Sequence, residues 1–123
     1  GRRPEAASLA AANKRVANIL RKQAEEAGAP LLGRAVDPAC FEADAERELA
    51  DALAAARQDS AAAEAAGDYA AVLARLAQLQ APVDAFFDSV LVNAEDPAVR
   101  ANRLALLNQL KSQFSTVADI ALL

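Results

Sequence analysis

The chain has 123 residues, 54% of them hydrophobic, with a formal net charge of −4, one cysteine and no histidine. That length holds one domain with one modest core, so residues 1–123 read as a single unit. The missing histidine excludes the commonest general base, the commonest zinc ligand and every Ser/His/Asp or Cys/His arrangement.

Other absences narrow the field further. Gly1, Gly28, Gly33 and Gly67 are the four glycines, and they build neither a GxxxxGK[ST] nor a GxGxxG phosphate loop. No catalytic residue, metal site or cofactor site is expected. No apolar run approaches the roughly 18 residues of a membrane span, and the first thirty residues lack the apolar stretch of a signal peptide. Cys40 reads as a small buried apolar residue in a reducing, cytoplasmic setting. A start at Gly1 with no methionine anywhere points to a piece of a longer protein.

In chain order, the spacing predicts a long helix over 5–27, with Pro4 near its start and Gly28 just past its end. Leu9, Ala12, Val16, Leu20, Gln23 and Ala27 form its apolar stripe, and Asn13 points toward that stripe, where a buried side-chain hydrogen bond is expected. Residues 28–38, GAPLLGRAVDP, form a connection. A second helix is expected from about Phe41 to Ala66, buried through Phe41, Ala45, Leu49, Ala52, Leu53 and Ala56 and ended by Gly67. Asp68 offers the N-cap of a third helix, whose apolar face is Tyr69, Val72, Leu73, Leu76 and Leu79. A short fourth helix starts at Pro82 and buries Val83, Phe86, Phe87 and Val90. Asp96 and Pro97 then start a last helix reaching about Ala118. The fold class is all-α, a bundle of about five helices.

Charge is unevenly spread. Residues 1–36 hold seven Lys and Arg against three Glu, a net of +4; residues 37–68 are net −7, residues 69–98 net −3 and residues 99–123 net +2. The overall acidity argues against a generic DNA or RNA binder, yet a basic surface survives if the first and last helices lie side by side. At about 100° per residue, Lys14, Arg15, Asn18, Arg21 and Lys22 all lie opposite the first apolar stripe. That face suits a phosphate backbone, or is a plain solubilising face.

The last helix contains AVRANRLALLNQL, residues 98–110, in which polar residues interrupt a core-making pattern. Val99, Leu106, Leu110, Phe114 and Val117 set its apolar face, and Arg103 falls inside it. A buried guanidinium requires a carboxylate partner, and Asp84 and Asp88 are the candidates. Arg103 therefore reads as one half of a structural ion pair. Arg100 and Lys111 on one edge, and Asn102 on the other, are the candidates for touching a partner.

Two strings carry a resemblance: AANKRVANILRK at 11–22 and PVDAFFDSVLVNAEDPAVRANRLALLNQLKSQFSTVADIALL at 82–123. Together with VDP at 36–38, they resemble the C-terminal region of the β subunits of bacterial glycine–tRNA ligases. The resemblance implies a DALR-like anticodon-binding domain from an enzyme of two α and two β subunits, in which the α subunit carries the glycine- and ATP-binding site and the whole enzyme uses ATP and Mg. It implies that this segment is non-catalytic and binds tRNA-Gly, with the α subunit and the rest of the β subunit as further partners. Among matched positions, Lys14, Arg15, Asn18, Arg21, Lys22, Arg100 and Asn102 become RNA-contact candidates, with Lys111 beside them. In this reading cations hold stem phosphates, and Asn18 or Asn102 reads an exposed loop base. Tyr69 is the one aromatic stacking candidate, though core packing is the commoner role for such a residue. A structural domain that docks the α subunit or other β-subunit domains is the competing reading.

Overall fold

A computed structural model describes residues 4–27 and 35–121 of the chain, with side chains at 7–26 and 35–116. Most of the expected 28–38 connection, including Gly28 and Gly33, lies outside the described residues, as do the side chains of Ala27 and Val117. Five helices form: α1 (Pro4–Ala27), α2 (Asp44–Ala65), α3 (Tyr69–Ala77), α4 (Gln80–Ser89) and α5 (Pro97–Ala121), with a 3-10 turn at Pro38–Cys40 before α2. The described residues contain no strand.

The helix ends follow local chemistry. Gly67, at φ +73°, closes α2. Its N–H reaches Glu64 O at 2.9 Å and the Asp68 N–H reaches Ala63 O at 2.9 Å, the paired bonds of a Schellman motif. Asp68 then accepts the Ala71 N–H and opens α3. Asp96 does the same for α5 through the Ala98 N–H at 2.9 Å. α4 starts at Gln80, two residues before the expected Pro82. A proline in the first helical turn is tolerated because an N–H there has no intrahelical partner to lose.

The start of α2 departs most from expectation. Phe41 lies outside the helix, which begins at Asp44. Glu46 explains the late start. Its Oε1 accepts the N–H groups of Glu42 and Ala43, at 3.0 and 2.9 Å. This is the glutamate half of a capping box; Ala43 has no side-chain oxygen to supply the other half.

α5 is the central element. Its six consecutive residues Asn102–Leu107 are all buried, so the single apolar stripe expected from the sequence is replaced by burial on every side. α1 packs along α5 and across α3 and α4, and α2 packs on α3 and α4 and also meets α5. The core joins Leu9, Val16 and Leu20 of α1 to Leu49 and Leu53 of α2, Leu76 of α3, Phe86 of α4 and Leu106, Leu107 and Leu110 of α5. Several expected core members differ: Phe41, Ala52, Leu73 and Phe87 are half-buried, and Tyr69, at the first position of α3, is 47% exposed.

Arg103 is buried at 7% exposure, as an ion-pair residue should be. Its partners are not Asp84 and Asp88. Nη2 bonds Glu46 Oε1 at 3.0 Å and lies 3.6 Å from Glu42, while Nη1 donates to Leu91 O at 2.6 Å. Asp84 is instead drawn to Arg15, and Asp88 is exposed with no ion pair among the described residues. Both are on α4, whereas the carboxylate that meets Arg103 comes from the fully buried Glu46 of α2. Arg103 thereby joins α5 to the start of α2 and to the α4–α5 loop.

Burial raises the Glu46 pKa, but the Arg103 guanidinium and the two backbone N–H groups outweigh it and hold the carboxyl below its ordinary value of 4.5. A group with a depressed folded pKa contributes stability that is full above its unfolded value and lost as pH falls through the folded one. Glu46→Gln is therefore expected to destabilise the protein by roughly 3 kcal/mol at neutral pH, since it leaves the buried guanidinium with only the exposed carboxylate of Glu42, 3.6 Å away. The deficit relative to the unaltered protein should shrink as pH drops well below 4.5. Urea unfolding at neutral and acid pH measures this, and a deficit independent of pH would contradict the ionised pair.

Candidate nucleic-acid interface

α1 presents the polar face that its periodicity implies. Lys14, Arg15, Asn18, Arg21 and Lys22 are all exposed. Burying Leu9, Ala12, Val16 and Leu20 against α3, α4 and α5 forces these residues outward. Lys14 and Lys22 make no ion pair, and Asn18 no hydrogen bond, among the described residues. Arg21 pairs with Glu25 one turn on, at 3.1 Å, with both side chains about two-thirds exposed. Such a surface pair contributes little and exchanges readily for a ligand anion.

Arg15 is the most constrained of the five. Its Nη1 lies 3.5 Å from Asp84 Oδ1, and its guanidinium carbon sits 4.3 Å from the centroid of the Phe87 ring. α1 and α4 meet again where Ser8 Oγ donates to Gln80 Oε1. Asn13 differs from expectation: its Oδ1 is buried with no hydrogen-bond partner among the described residues.

The α5 candidates divide. Lys111 is half-buried, and Arg100 is half-buried with Nη1 donating to Ala94 O at 3.3 Å, which closes the turn before α5. Asn102 is no base reader in this arrangement. It is 5% exposed, accepts the Asp37 N–H at 2.7 Å and donates to Asp37 O at 3.0 Å. One amide side chain thus occupies both backbone groups of a residue 65 positions away and pins the segment before α2 onto α5. Asp37 in turn caps the 3-10 turn through the Ala39 N–H, and Cys40 Sγ donates to Asp37 Oδ2 at 3.7 Å. Cys40 is half-buried rather than a core residue.

The electrostatics are resolved by segregation. α2 carries most of the net −7 of residues 37–68, and it packs on α3, α4 and α5 rather than along α1. The basic face of α1 therefore does not lie against the acidic helix. A shallow cleft lined by Val36, Phe41, Arg47, Asp51, Leu106 and Gln109 opens on the acidic side. Arg47 there is held by Asp44 at 3.0 Å, and exposed Glu48 and Asp51 nearby are unsuited to an RNA backbone.

Two partners escaped the sequence reading. Glu46 left a usable signal, because it lies on the same helical face as Leu49, Leu53 and Ala56, the one carboxylate in that buried set. The contact of Phe87 with Arg15 left none, since it joins residues of two helices far apart in sequence.

The architecture is that of an all-helical bundle whose first helix offers an exposed cationic face. The chain belongs to the family of the DALR anticodon binding domain, whose model matches residues 9–120. It is 58% identical over 118 residues to the glycine–tRNA ligase β subunit of Thiobacillus denitrificans, 55% to that of Methylobacillus flagellatus and 53% to that of Haemophilus influenzae. Each match covers 96% of this chain and 16% of the relative, so the chain spans about one sixth of the length of these curated relatives.

Asn102→Ala is expected to cost about 1–3 kcal/mol of stability, because it removes both hydrogen bonds that pin Asp37 to α5, each contributing about 0.5–1.5 kcal/mol. Thermal unfolding tests this, and an unchanged midpoint would show that the segment at Asp37 is held by something else.

Proposed function

We propose that this chain is the tRNA-binding module of a glycine–tRNA ligase β subunit. In this reading it holds the anticodon region of tRNA-Gly so that the acceptor end reaches the ATP-dependent active site of the α subunit, in the cytoplasm. The observation that carries the proposal is the face of α1. Lys14, Asn18 and Lys22 stand exposed and unpartnered among the described residues, beside Arg15 and Arg21, in a chain of the anticodon-binding family. Cations placed this way hold phosphates and fix register, and an amide between them can meet a base edge. Unpaired anticodon bases are the kind of target that sequence-specific RNA readers use.

The module's contribution is positional. In this reading glycine and ATP are bound by the α subunit, Mg is used by the whole enzyme, and the rest of the β subunit and the α subunit are its protein partners. A purely docking role calls for an exposed apolar patch of several hundred Å2. The large hydrophobics exposed among the described residues are Tyr69 and Leu91, two side chains only.

Charge reversal at Lys14, Arg21 and Lys22 together is the direct test. Affinity for tRNA-Gly should fall, and the dependence of log affinity on log salt should flatten by roughly 0.7–0.9 for each phosphate contact removed. Circular dichroism should show the helices intact. An unchanged affinity would remove α1 from the contact surface.

A further inference from the structure

The Arg15–Phe87 pair has a geometry that phosphate binding alone does not require. A guanidinium has two faces and an edge of N–H donors. At Arg15, the Phe87 ring covers one side, with the guanidinium carbon 4.3 Å from the ring centroid. Asp84 Oδ1 forms an ion pair with Nη1 at 3.5 Å without a hydrogen bond, and the Arg15 side chain remains 47% exposed. The ring beneath is itself anchored. Phe87 meets Phe86 edge-on, with centroids 5.6 Å apart and planes at 80°, and Phe86 is fully buried.

One helical turn further on stands Asn18, exposed and without a hydrogen-bond partner among the described residues. Positions three apart on a helix place their Cβ atoms about 5–6 Å from each other. Lys14 and Lys22 fall in the same arc of α1.

We propose that Arg15, backed by Phe87, is a stacking platform for one unpaired nucleobase, with Asn18 hydrogen-bonding to the edge of that base. Lys14 and Lys22 hold the adjoining phosphates. The inference rests on the RNA-binding reading above and adds to it the place where a base is held. Unpaired bases stack on guanidinium planes as they do on aromatic rings. Phe87 and Asp84 hold the guanidinium in place before RNA arrives, which reduces the ordering cost of binding. Asn18 offers an N–H2 donor group and a carbonyl acceptor side by side on a short side chain, the complement of adjacent groups on a base edge. Asn102 cannot take this role, because Asp37 occupies its amide.

The test compares Arg15→Ala, Arg15→Lys, Phe87→Leu and Asn18→Ala in the intact protein. The probe is an anticodon stem-loop carrying a fluorescent adenine analogue at each unpaired position in turn. Lysine keeps the charge and loses the plane. Both Arg15 variants should therefore weaken binding by roughly tenfold or more and abolish the fluorescence change at one position. Arg15→Lys should leave the salt dependence unaltered. Phe87→Leu should reduce the fluorescence change, and Asn18→Ala should alter preference among loop sequences without changing the salt dependence. Thermal unfolding of each variant separates these effects from loss of the fold.

Wild-type binding by Arg15→Lys would show a phosphate contact and overturn the platform. Binding that responds to charge reversal at Lys14 and Lys22 but to none of these variants would overturn the platform and leave the RNA-binding reading standing. No binding by the unaltered protein would overturn both.

Discussion

The buried contact between Arg103 and Glu46 is the constraint on which the arrangement of the bundle depends. A guanidinium at 7% exposure and a carboxylate at 0% are each costly to remove from water. They are accommodated because each side of the pair also reaches backbone. Glu46 takes the N–H groups of Glu42 and Ala43, and Arg103 gives to Leu91 O. Two segments, the start of α2 and the α4–α5 loop, are thereby fixed to α5. Asn102, the preceding residue, adds Asp37 to the set. The pair is not saturated, since Glu46 Oε2 and Arg103 Nε are buried without partners among the described residues. Specific placement of the loops, rather than net stability, is the property such a cluster best explains.

This internal use of polar residues decides where an interface can lie. α5 spends Asn102 and Arg103 on the fold, and its middle is enclosed on all sides. α2 is acidic and turned away from α1. α1 remains, with its apolar stripe in the core and its cations in solvent. An acidic chain can in this way present a basic surface, because the sign that matters to a polyanion is that of the face it approaches.

The helices and their ends were legible in sequence wherever the signal is local. Asp68 and Asp96 cap through N–H groups two or three residues away, and Gly67 ends α2 by its own backbone freedom. The outward face of α1 was equally legible, because one helix with one buried stripe obeys its own period. What could not be read depends on contacts distant in sequence. Arg103 announced a buried charge, but the choice between Asp84 and Glu46 turns on which helix crosses it, 57 residues away. Helical spacing with a single apolar stripe puts Asn102 at an edge of α5, whereas the helix is buried all round at that point. The Asn102 amide is consumed by a segment whose approach no periodicity encodes. Tyr69 sits on the apolar side of α3 by spacing, yet it stands at the helix start, where the bundle no longer covers it.

Contact between α1 and the anticodon loop, as proposed for this chain, is best tested by binding of the protein to a labelled tRNA-Gly anticodon stem-loop, beside a control with a substituted loop, at two salt concentrations. Binding should weaken with salt and prefer the native loop. Equal binding to both loops, or none to either, in a setting where the complete ligase discriminates between them, would contradict it and shift recognition to another part of the enzyme.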